Sequence, residues 1–201
     1  IAALAILAVA AFLRFYDLNL VPLHHDEGVN GNFLVALVRE GRYHYNPENY
    51  HGPTLYYLAA LFPRVLRLFS GVDAQNNYGL TTTAVRAVTS LFGLGTVALV
   101  FPLRRYLGTI GALSAAAFLA ISPGAVYLSR YFIHESLFVF FTFGVVVAAV
   151  KFYESGSVTY LILGSASLAM VFATIVLRRW SERRGTHLLW WGVGLVIYGI
   201  G

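Results

Sequence analysis

Long apolar runs and short polar breaks alternate along the chain. The first run, Ile1 to Leu13, ends at Arg14-Phe15-Tyr16-Asp17. Alone it is too short for a hydrocarbon core of about 30 Å, which takes about 20 residues. No small-residue cleavage site follows it before Arg14, so the pattern predicts a membrane span cut at its start, not a signal peptide. Further apolar runs at about 84–103, 109–128, 137–153, 158–177 and 188–201 are each predicted as spans. Ser122-Pro123-Gly124 breaks the 109–128 run near its end, and Lys151 can snorkel from 137–153.

Residues 14–83 form a mixed loop between the first two spans. Val29, Phe33 and Leu37 recur every fourth position, with Leu34 and Val38 beside them. This stripe predicts an amphipathic helix over 27–40, with Asp26 as its cap and Gly41 as its stop. Pro53 suits the first turn of a second helix, 53–70. Only about ten apolar residues precede Arg64, so this helix is expected to lie in the membrane interface. The fold class expected is all-α integral membrane: a polytopic transmembrane helix bundle with interfacial helices in the first outer loop. Neither a sequence repeat nor a soluble domain is visible.

Composition agrees. Of 201 residues, 58% are hydrophobic and 11% charged, where a soluble domain carries about 25% charged residues. Aromatics reach 15%, which fits boundary belts. With no cysteine, disulfide frameworks and thiol chemistry are excluded. The net charge of +5 reads as contact with headgroups and phosphates, since no nucleic-acid motif is present. Arg104-Arg105 is expected on the cytoplasmic side, which puts loop 14–83 and the 130–135 loop on the outer face. The same rule disfavours the outward position this gives Arg178, Arg179, Arg183 and Arg184.

Two polar clusters carry the candidate chemistry. His24-His25-Asp26-Glu27-Gly28 opens the first predicted helix. Its carboxylates can bind a metal or accept a proton from an attacking hydroxyl. The plainer alternative is that Asp26 caps the helix and Glu27 complements its dipole. The adjacent His24 and His25 exceed what a cap requires. In the second cluster, Arg130 and His134 are four apart, on one face if the stretch is helical, with Glu135 following. An arginine fork suits phosphate oxygens, though a boundary Arg also reaches headgroups. His51 and the tyrosines of 43–57 are weaker candidates for a substrate surface, since aromatics at an interface are more often an anchoring belt.

The order of these motifs resembles a known family. A first span precedes His24-His25-Asp26-Glu27-Gly28 and a short helix ending Arg39-Glu40-Gly41. Tyr50-His51-Gly52-Pro53-Thr54-Leu55-Tyr56-Tyr57, Arg86 opening a span, and Ser122-Pro123 before Ser129-Arg130 and Glu135 follow. Over most of 1–175 the chain resembles the N-terminal part of the GT-C membrane glycosyltransferases, which include the protein O-mannosyltransferases and lipid A aminoarabinose transferase. Within them it looks most like the flippase activity-associated glycosyltransferases. The resemblance implies a multi-span enzyme of the plasma membrane with catalytic loops on the outer face. It implies a polyprenyl-phosphate sugar donor and inversion at the anomeric centre. By position, Asp26 corresponds to the essential acid, Glu27 completes the pair, and Glu135 is the second acid. Where the aminoarabinose transferase has Glu-Lys-Pro, this chain has His51-Gly52-Pro53, so no lysine contact carries over.

The functional expectation is a glycosyltransferase moving sugar to an acceptor hydroxyl. Asp26, Glu27 and Glu135 are the expected catalytic residues, and Arg130, His51, Tyr50 and Arg86 the expected substrate contacts. His24, His25 and His134 are candidate ligands for a divalent metal, with Glu135 beside them. The expected partners are the lipid-linked donor, membrane lipids and an unspecified acceptor, with no nucleic acid. The alternatives are a non-catalytic subunit of a glycosylation or lipid-flipping system, or a transporter. A transporter predicts charges inside the spans, whereas these lie at their ends.

Overall fold

A computed structural model describes residues 1–44, 53–61 and 80–183, and among these every regular element is helical. Helix α1 (Ala2–Phe15) is apolar and ends where Tyr16 turns extended. Asp17 then adopts φ 41°, a left-handed conformation that Asp tolerates better than most residues. Helix α2 (His25–Glu40) ends at Gly41, whose φ of 69° suits a residue without Cβ. A short helix, α3, covers 54–61. The rest of the predicted 53–70 helix and the 188–201 run lie outside the described residues.

Helix α4 (Thr82–Ala98) starts where Thr81 Oγ1 accepts from the Ala84 N–H at 3.1 Å. A 3₁₀ turn, Phe101–Leu103, leads into α5 (Arg104–Ile121). Gly108, at φ 69° and ψ 166°, breaks α5 one turn in. The 109–128 run breaks where Ser122-Pro123-Gly124 predicts. Its regular part ends at Ile121, and Pro123, which cannot continue a helix, opens α6 (Pro123–Ser129). Helices α7 (Glu135–Ser155) and α8 (Val158–Arg183) form a hairpin around Gly156, at φ 63°. Two stretches, Thr82–Ile121 and Glu135–Ser155, are long and apolar enough to cross a membrane.

Ser90 Oγ donates to the carbonyls of Arg14, at 3.0 Å, and Ser129, at 3.2 Å. These bonds tie the middle of α4 to the end of α1 and the end of α6. Small residues permit close approach. A Cβ on Gly93 would collide with Ser129 Cβ, and one on Gly95 would lie 2.7 Å from the Phe140 ring. One core cluster gathers Ala10, Val97, Val100, Ala116 and Ala120 between α1, α4 and α5. The other gathers Leu34 and Leu37 of α2, Leu55 and Tyr56 of α3, Val88 of α4, Phe132 and Leu137. This second cluster holds α2 at the end of the bundle where α4 and α7 begin.

Candidate functional site

The site is built on the first turn of α2. Its cap is His24, not Asp26. His24 Nδ1 accepts from the Asp26 N–H at 3.3 Å, and Glu27 Oε2 accepts from the His24 N–H at 3.0 Å. This is the reciprocal arrangement of a capping box, with imidazole in place of a hydroxyl. The Asp26 side chain thus does not cap the helix, contrary to expectation. Its carboxylate points outward, 65% exposed, with Oδ2 3.5 Å from His24 Nδ1.

Glu27 is the opposite case. It is buried and accepts four hydrogen bonds, two on each oxygen. Arg86 Nε donates to Oε1 at 2.8 Å and Arg86 Nη2 to Oε2 at 2.6 Å. The Phe132 N–H donates to Oε1 at 2.9 Å. Burial alone pushes the Glu27 carboxyl up, but the Arg86 hydrogen bond and the two main-chain bonds outweigh it and hold the carboxyl below its ordinary value.

Arg86 has no donor left over. Besides Glu27, its guanidinium serves the carbonyls of Leu18, Val21 and Pro22, so all five N–H groups are used inside the protein. The sequence reading had Arg86 contacting substrate; here it is a strut that pins the 18–22 turn and α2 to α4. Glu27, expected as catalytic, has its carboxylate committed to the same strut.

The two polar clusters meet. The Phe132 N–H reaches Glu27, and Phe132 O accepts from Asn30 Nδ2 at 2.9 Å. Asn30 Oδ1 in turn accepts from the Tyr56 hydroxyl at 2.8 Å. The 130–135 segment is thus drawn against the start of α2. It is not helical before Glu135, so Arg130 and His134 do not share a helix face as their spacing suggested. His134 is buried, edge-on to the Tyr56 ring at 5.3 Å. Arg130 donates to the carbonyls of Leu13, at 2.8 Å, and Asp17, at 2.9 Å. Three of its five N–H groups remain. Tyr131 lies 5.5 Å above the Arg86 guanidinium, with His24 edge-on and Tyr127 packed against it at 4.5 Å.

Glu135 opens α7 at the rim of a 270 Å³ cavity that Arg14, Thr96 and Ser129 also line. Asp26 does not line that cavity. The sequence reading missed Arg14 as a structural group. It is 1% exposed and donates to the carbonyls of Ala10, Leu119 and Ala120, where α5 ends. Nothing in the sequence separated it from an ordinary boundary arginine. His24 as cap was findable, since Glu27 stands three residues on.

Tyr50 and His51 lie outside the described residues. Among those described, no three His, Asp or Glu side chains gather as a metal site. His24 Nδ1 is engaged in the cap, His25 is exposed, and His134 packs in the core. The donor set expected for a metal, His24, His25 and His134 with Glu135, does not converge in this arrangement, so no step below runs through one.

A family model described as dolichyl-phosphate-mannose-protein mannosyltransferase matches residues 4–177, well over half of the chain. No curated protein and no solved structure matches it.

Proposed function

Because the chain belongs to the dolichyl-phosphate-mannose-protein mannosyltransferase family, whose members are membrane glycosyltransferases using a polyprenyl-phosphate-linked sugar, we propose that its described helices carry the acidic and donor-binding residues of such an enzyme. The bundle is polytopic, and the end carrying Asp26 and Glu135 faces outward across the plasma membrane. A sugar passes from the lipid phosphate to an acceptor hydroxyl with inversion.

One observation carries this reading. In the same helical turn, Glu27 is locked by four hydrogen bonds while Asp26 is exposed and free of the cap. A carboxylate that does chemistry must reach substrate, and one that positions it must not move; the two neighbours divide these roles. The acceptor oxygen forms a bond to C1 while the C1–O bond to phosphate breaks. The hydroxyl proton passes to the Asp26 carboxylate, and the bonding pair leaves with the phosphate. A single displacement of this kind inverts C1. Arg130 has donors to offer the departing phosphate, and its anchoring on Leu13 and Asp17 holds the fork in place. Glu135, exposed at the start of α7, is the second acid of the site.

The test is transfer of labelled sugar from polyprenyl phosphate by the full-length protein in membranes. Transfer that depends on Arg130, weakened by Arg130→Lys more than folding is, supports the reading, because a point charge replaces a planar fork. Absence of transfer across a range of donors and acceptors overturns it and leaves a non-catalytic subunit.

A further inference from the structure

At the opposite end of the bundle lies a groove of about 930 Å³ between α1, α5, α7 and α8. Ala3, Leu113, Phe140 and Leu163 contribute to its apolar wall. Arg104, Lys151 and Tyr160 bring polar groups to it. The charge there is unbalanced. Lys151 Nζ pairs with Glu154 at 2.7 Å. Arg104 is exposed and makes no hydrogen bond or ion pair among the described residues. Arg105, next to it, is exposed too. Two cations thus line the groove, and of these only Lys151 has a carboxylate partner, Glu154.

An apolar cleft with a surplus cation suits an amphiphile with an anionic head. We infer that this groove holds an anionic phospholipid of the leaflet facing the Arg104 end, its phosphate at Arg104 and an acyl chain along Phe140 and Leu163. Basic pockets between membrane helices bind such headgroups. The volume suits a headgroup phosphate and one acyl chain, with the second chain left in the bilayer. The occupant is bulk lipid and not the sugar donor. Arg86, beside the proposed catalytic turn, and Leu99, in the groove wall, are separated along α4 by about 20 Å at ~1.5 Å per residue. A donor phosphate at Arg104 is out of reach of Asp26. The inference requires only that the chain sits in a membrane, so it stands apart from the transferase reading.

The test uses the full-length protein in vesicles, with Tyr160→Trp as reporter and the signal of the unsubstituted protein subtracted. Quenching is compared for phosphatidylglycerol and phosphatidylcholine carrying the same brominated acyl chains. Phosphatidylglycerol should be preferred about fivefold, the scale of one basic residue near a lipid surface. Adding Arg104→Gln, with an unchanged melting temperature as the folding control, should bring the two lipids near parity. Equal quenching in the reporter protein overturns the inference, as does a preference that survives Arg104→Gln. No quenching by either lipid also overturns it, because the groove is then covered by protein.

Discussion

The Glu27 carboxylate grips the Arg86 guanidinium through both oxygens, at 2.8 and 2.6 Å, with both side chains buried. This pair is the joint where α2, α4, the 18–22 turn and the 130–135 segment meet. Removing one partner strands a buried charge. Glu27→Ala should cost about 3–5 kcal/mol of stability, read by thermal or denaturant unfolding of the purified protein in detergent. Glu27→Ala with Arg86→Met should recover part of the loss. An additive double variant would mean that the two side chains are not coupled.

The same pair sets a pH dependence. Glu27 is held below its ordinary value, so the folded state binds its proton less readily than the unfolded chain. Its contribution is fully present above the unfolded value of about 4.3. It is lost as pH falls through the lower folded value. The stability gap between the native protein and Glu27→Gln should therefore be flat near neutrality and close on acidification below pH ~4. A gap that instead widened there would contradict the assignment.

Gly93 marks the contact between α4 and α6. A Cβ there would collide with Ser129 Cβ and lie 2.9 Å from Ser129 Oγ and 3.2 Å from Arg14 Nε. Gly93→Ala should destabilise by about 1–3 kcal/mol, as overpacking does. Ser129→Gly in the same chain should relieve most of it. Melting temperatures of the single and double variants decide the matter.

His24 tests whether its imidazole serves the helix or a metal. His24→Asn replaces the Nδ1 acceptor at the cap with an amide oxygen, whereas His24→Ala leaves no acceptor, at a cost of about 0.5–2 kcal/mol. As a cap, His24→Asn should melt close to the native protein and retain its response to added divalent ions. Loss of metal-stimulated transfer in His24→Asn, with folding intact, would restore the imidazole as a ligand.

Much of this was legible in the chain. The stripe of Val29, Phe33 and Leu37 located α2, and Gly41 sits where it stops, because periodicity and a left-handed glycine are local signals. The meeting of Glu27 with Phe132 was foreshadowed only as two acid clusters expected at one membrane face; the main-chain bond joining them depends on tertiary packing. The resemblance marked Asp26 as the essential acid, but the burial of Glu27 was not legible, since neighbouring carboxylates look alike until one is found buried. Nor could it show that Arg86 and Arg14 spend their donors inward, because a boundary arginine reads the same whether it faces lipid, substrate or carbonyls. The stop before Pro123 was legible because proline cannot continue a helix, whereas the break at Gly108 was not, because a single glycine does not show in a hydropathy pattern.

The most direct measurement is the rate of sugar transfer from polyprenyl phosphate by full-length Asp26→Asn, set beside its melting temperature. The side chain is 65% exposed and makes no capping bond, so the substitution removes a charge and a basic oxygen while leaving the fold alone. As the base, Asp26 should take with it a factor of about 10²–10⁴ in rate, with melting within a degree or two of the native protein. Undiminished transfer by a well-folded Asp26→Asn would contradict the account and remove Asp26 from the chemistry.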